Sequence, residues 1–117
     1  MDEILKNVYT WSKYSDEKKL NFNGHFIVSQ HPLFGNVIID PPQASDSDLE
    51  EMESLGFVQH IIITNRDHIR RSEEFQQKFG ADIQMNTNDI TYSDMVSDHK
   101  FNNGDMIAGF LQALVIP

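Results

Sequence analysis

"HIIITNRDHIRRSEEFQQKFGADI", residues 60–83, decides the fold class. Its apolar run, "HIIIT", is short and β-branched, which suits a strand buried on both faces of a sheet. From Arg66 the chain turns polar. "RDHIRRSEEFQQKFG" predicts a helix closed by Gly80 as the residue just past its end. "ADIQM", residues 81–85, is then another short strand. A strand, a helix and a strand in this order predict a parallel crossover of right-handed sense.

The same unit repeats upstream. "NVIID", residues 36–40, is an apolar run stopped by Pro41 and Pro42, which cannot continue a ladder. "SDSDLEEMESLG", residues 45–56, opens on Ser and Asp caps, carries acids in its first turn and ends at Gly56. Leu49, Met52 and Leu55 give this helix one apolar stripe. Before it, "NVYTWSKY" (7–14) and "LNFNGHFIVSQ" (20–30) predict two antiparallel strands, and "HPLFGN" is a turn. Downstream, "NTNDITYSDMVSDHK" (86–100) has no dominant period and is read as loop with a helical turn. Asn-Asn-Gly-Asp at 102–105 lies between Phe101 and an apolar run to Ile116, the pattern of a hairpin. The expected fold is α/β, one domain over residues 1–117, with a mixed β-sheet and helices on one face.

Composition narrows the chemistry. The 117 residues contain no cysteine, which excludes disulfides, thiolate metal sites and cysteine nucleophiles. Eighteen acids against nine Lys and Arg give a net charge of −9, so a nucleic-acid footprint is not expected. No apolar run approaches membrane-spanning length and "MDEILKNVYT" is no secretory signal, so a cytoplasmic protein without membrane contact is expected.

The start of the second helix holds the candidate site. Thr64-Asn65-Arg66-Asp67 fits a capping box, with Thr64 capping the Asp67 N–H and the Asp67 carboxylate reaching back. Asp67 and His68 are alternatively the remnant of a metal site. Arg66, Arg70 and Arg71 form the one dense basic cluster, able to bind an anion at a helix N-terminus or to balance Glu73 and Glu74 as ordinary surface charge. His25, His31, His60 and His99 show no ligand spacing, and Asp105 sits in a turn of a common type.

"NVIIDPP", a capped helix, "HIIITNRDHIRRSEEFQQKFGADI" and "NNGDMIAGFLQALVIP", in that order, resemble the N-terminal half of the metallo-β-lactamase-like hydrolase superfamily. In that family the second strand runs into Thr-His-x-His-x-Asp-His. The resemblance implies half of an αββα sandwich and hydrolysis assisted by one or two divalent ions. It places Asp67 and His68 at the family's Asp-His, with the preceding His-x-His lost and Asn65 near its place. By the same resemblance Asp40 orients the ligand loop through hydrogen bonds, although a strand-end Asp turning with Pro41 is an equal reading. The family's remaining ligands would lie beyond Pro117. Three protein ligands are the usual minimum for a catalytic zinc, so an incomplete metal centre without hydrolytic activity is expected. The alternatives are the N-terminal part of a hydrolase with one divalent metal such as zinc, and a non-catalytic interaction module. The small-molecule substrate is not specified by these residues.

Self-association is also expected. The sheet face without helices would carry alternate side chains of "NVIID", "HIIIT" and "FLQALVI", and exposing apolar area costs roughly 25 cal/mol per Å². A second copy would cover it, or else the N-terminal hairpin with Tyr9, Trp11, Tyr14 and Phe22 would fold across.

Overall fold

Short β-branched strands set end to end with two amphipathic helices produce one seven-stranded sheet. The computed structural model describes residues 1–31, 33–86, 99–107 and 111–112. Strands β1 (Asp2–Leu5), β2 (Val8–Ser15), β3 (Leu20–Ile27), β4 (Asn36–Ile39), β5 (Val58–Ile63), β6 (Asp82–Asn86) and β7 (His99–Phe101) lie side by side in chain order. Pairing is antiparallel from β1 to β4 and parallel from β4 to β7. Helix α1 (Asp46–Ser54) crosses from β4 to β5, and α2 (Ser72–Phe79) from β5 to β6. The mixed sheet of the expected α/β fold is therefore present, with β1 added at its edge. Among the described residues no helix is long and apolar enough to cross a membrane.

Period-two alternation divides the strands between two cores. On one face Phe26, Ile38, Ile61, Ile63, Ile83 and Met85 are buried beneath Met52 of α1 and Phe75 of α2. Trp11 joins this core, its ring stacked on Phe75 with centroids 5.8 Å apart. The other face holds Val37, Ile62 and Phe101, with Leu111 packed against them. Val37 is 0% and Ile62 5% exposed, so the centre of this face is covered within the chain. The apolar centre of the face on which self-association was expected is thus buried without a second copy. The β2–β3 hairpin does not cover it either: it widens the sheet, turning Trp11 to the helix side and leaving Tyr14 exposed.

Two segments differ from expectation. The helix expected from Arg66 is broken: Arg66–His68 form one 3-10 turn, Arg70 takes φ +49°, and α2 starts at Ser72. The cause is competition for the backbone, because the Arg71 N–H donates to the Pro41 carbonyl (3.0 Å) and the chain is drawn onto the end of β4. Gly80 closes α2 in the left-handed region as expected. The expected C-terminal hairpin is also redrawn. Asn102–Asp105 do turn, but β7 stays in the main sheet beside β6, and β8 (Met106–Ile107) pairs with β9 (Leu111–Gln112) instead. Burial of Phe101 against Val37 and Ile62 holds β7 in place. The loop expected at 86–100 falls largely on residues 87–98, outside the described residues; His99 and Lys100 belong to β7.

Helix α1 is capped by Ser45, whose hydroxyl accepts from the Asp48 N–H at 3.1 Å. Its acidic first turns also grip the chain start: the Met1 amine donates to Asp48 (2.7 Å) and Glu51 (2.8 Å). These hydrogen bonds, first to Asp48 and then to Glu51, raise the amine from 8.0 to about 10. A raised folded-state value means that the amine contributes stability below pH 8, lost as pH rises through 10. Melting temperature is expected to fall across that window in the wild type and to stay flatter in Asp48→Asn/Glu51→Gln. Equal slopes in the two proteins would show that the contact contributes nothing.

Candidate active-site loop

Parallel strands β4 and β5 end together, and the polar residues that follow them meet above the sheet. This carboxyl edge is where ligands bind in open α/β sheets. Asp40, the residue after β4, is 7% exposed and takes φ +49°, a conformation that Asp adopts more readily than most residues. Its N–H still donates to Ile62 (3.0 Å), which fixes it against β5.

The Asp40 carboxylate organises the loop. Oδ1 accepts from the Thr64 N–H at 2.8 Å, and Oδ2 accepts from the Thr64 hydroxyl at 2.5 Å. His68 Nδ1 lies 3.0 Å from the same Oδ2 and 3.1 Å from Thr64 Oγ1. An ionised carboxylate only accepts, so this arrangement puts a proton on Nδ1. Asn65 places its amide Nδ2 3.2 Å from Nδ1 and 3.3 Å from Nε2 of the same ring. Its Oδ1 accepts from the Asp67 N–H at 2.8 Å.

The expected capping box is therefore not formed. Asn65, not Thr64, caps the turn, because the charge-assisted bond to Asp40, at the end of the neighbouring strand, fixes the orientation of the Thr64 hydroxyl. Asp67 points outward, exposed, with no partner for its carboxylate among the described residues. Asp40, Asn65 and His68 are brought together; Asp67 stands beside them.

The arginine cluster is divided among separate tasks. Arg66 is exposed on the 3-10 turn. Arg70 Nη1 donates to the carbonyls of Asn23 (2.8 Å) and Asp40 (2.7 Å), and its guanidinium lies 4.6 Å from the centre of the Phe22 ring. Burial lowers the Arg70 pKa from its ordinary value, while the Asp40 charge opposes that shift. Arg71 pairs with Glu74 at 2.5 Å. Of the other histidines, His31 accepts from the Leu33 N–H (3.1 Å) and His60 meets Gln84 (2.7 Å). Asp105 accepts from the Asn102 N–H (2.8 Å), a turn contact.

A divalent ion of the kind the resemblance implies needs at least three convergent donors. Among the described residues no group of three His, Asp or Glu side chains is placed to hold one. His68, the one imidazole in the loop, has its ring engaged by Asp40, Thr64 and Asn65. The described residues do not fit the metal.

Asp40 does hydrogen-bond the ligand loop, as the resemblance implies, but Thr64 as its partner was missed by reading the sequence. A signal for it exists: two adjacent apolar runs predicted to lie parallel each end in a polar residue, Asp40 and Thr64, and the register pairs Ile39 with Ile62. A search of curated proteins returns no match. A family model described as the metallo-beta-lactamase superfamily matches residues 4–116, nearly the whole chain. With a match of that extent over a mixed sheet whose polar loops gather at the ends of β4 and β5, the chain belongs to the metallo-beta-lactamase superfamily.

Proposed function

We propose that the ligand loop of this chain serves as a structural latch and not as a metal centre, so that the described residues perform no metal-assisted hydrolysis. One observation carries this reading: Asp40, Thr64, Asn65 and His68 satisfy one another's hydrogen bonds instead of leaving donors converged on an empty point. Metal-assisted hydrolysis requires an ion that polarises the substrate and lowers the pKa of a bound water. Asp67 and His68 offer two ligands at most, and the Asp40 contact commits one side of the imidazole ring. What supports the reading is the chemistry of the donor set: a carboxylate that ties two strand ends and a turn together is a folding device.

Elemental analysis of the purified protein, before and after equilibration with zinc, tests it. The expected outcome is less than stoichiometric zinc, iron or manganese, unchanged by His68→Ala. One tightly held ion per chain that is lost in His68→Ala would overturn the latch reading and restore that of a metal-dependent hydrolase.

A further inference from the structure

The basic residues the latch does not use gather on the far side of Arg70. A cleft of about 260 Å³ opens between the β2–β3 hairpin and the chain running past Pro42, with Lys13, Ser15, Phe22, Gln43, Arg70 and Arg71 on its walls. No acidic residue lines it, in a chain with 18 acids and a net charge of −9. We infer that this cleft binds the phosphate monoester of a small organic alcohol through Lys13, Arg70 and Arg71.

The charges are arranged for a dianion. Arg70 is held in place by two backbone carbonyls, and the Asp40 carboxylate that acts on its charge does not line the cleft. Its φ of +49° is strained backbone, maintained where the surroundings fix it. Lys13 is exposed and has no ion pair among the described residues. Arg71 has one carboxylate partner, Glu74, in a pair whose side chains are 51% and 61% exposed, and such exposed pairs are weak enough to be exchanged for a ligand. Three cations on walls that carry no carboxylate suit a phosphate monoester dianion better than a singly charged carboxylate. The Ser15 hydroxyl accepts from the Lys18 N–H (3.2 Å), leaving its own proton to donate.

Size and lining select the ester over bare phosphate. At about 30 Å³ per water, the space holds roughly nine water volumes, more than one tetrahedral anion fills. Phe22 and Pro42 supply an apolar wall for the carbon part of an ester. Arg66, which the sequence grouped with Arg70 and Arg71, does not line the cleft.

Titration calorimetry with phenyl phosphate at low ionic strength tests this. The expected result is one-to-one binding that weakens as salt is added. Lys13→Gln/Arg71→Gln should weaken it by about tenfold or more, since two charge-assisted contacts are lost. Arg66→Gln should leave it unchanged, and Glu74→Gln, which frees Arg71, should tighten it. Lys13 and Arg71 are solvent-exposed, so the double variant should keep its melting temperature. No saturable binding at millimolar ligand, equal affinity for inorganic phosphate, or unaltered affinity in the double variant would each overturn the proposal.

Discussion

Asp40→Ala is expected to lower the free energy of unfolding by about 2–4 kcal/mol, as for breaking a partly buried, charge-assisted hydrogen-bond network centred on a buried carboxylate. Three donors lose their acceptor at once: the Thr64 N–H, the Thr64 hydroxyl and His68 Nδ1. Thr64 is exposed, so water can replace part of what its donors lose, and the loss of the tie between the ends of β4 and β5 carries the rest. Alanine must also adopt φ +49°, which Asp tolerates through its short polar side chain and alanine does not. Asp40→Asn keeps an acceptor for the Thr64 N–H and should cost about half as much. Asp67→Ala, at an exposed carboxylate, should stay within about 0.5 kcal/mol of wild type. Urea melts of the three variants, with hydrogen exchange at the Thr64 amide, provide the check. A loss at Asp67 equal to that at Asp40 would show that the loop is held by something other than the latch.

Phe75→Ala is expected to cost about 3–5 kcal/mol, the range for emptying a core phenylalanine site. The ring is 4% exposed and lies between the Trp11 ring, at 5.8 Å, and the Phe79 ring, at 6.1 Å. Helix α2 has only eight residues, too few to persist on propensity alone, and Ser72 and Phe75 are its buried positions. Removing the ring therefore detaches the helix as well as opening a void. Phe79→Ala, at a partly buried position, should cost less than half as much. Chemical denaturation gives the magnitudes, and the fluorescence of the single tryptophan, Trp11, should shift in Phe75→Ala below the unfolding midpoint. Equal costs at Phe75 and Phe79 would mean that α2 docks by its end and not through this contact.

The two variants probe opposite faces of one design. Phe75 holds α2 down on the sheet, and Asp40 holds the turn that leads into it. Between them, Arg70 donates to both Asn23 and Asp40, tying the β2–β3 hairpin to the same loop. The broken start of α2 is thus a consequence of the site and is not a weakness of the helix sequence.

The sequence alone determined the order of elements from β2 to β6, because that depends on local properties: β-branched runs at 36–39 and 58–63, capping residues at Ser45, and glycines at 56 and 80 where a left-handed residue ends a helix. It also determined the family, since the pattern of strand, turn and helix is kept in order along the chain. Which face is covered was decided only by tertiary structure, since Val37 and Ile62 read as apolar whether a second copy or the chain's own Leu111 covers them. Thr64's part in the latch was hidden for the same reason. Thr64 has a local use as a cap and a distant use as a donor to Asp40, 24 positions away, and the distant charged acceptor wins once β4 and β5 pair in parallel. Likewise Lys13 and Arg71 become neighbours only when the hairpin folds beside the loop, so a basic cleft formed from residues far apart in the chain has no signature in the sequence.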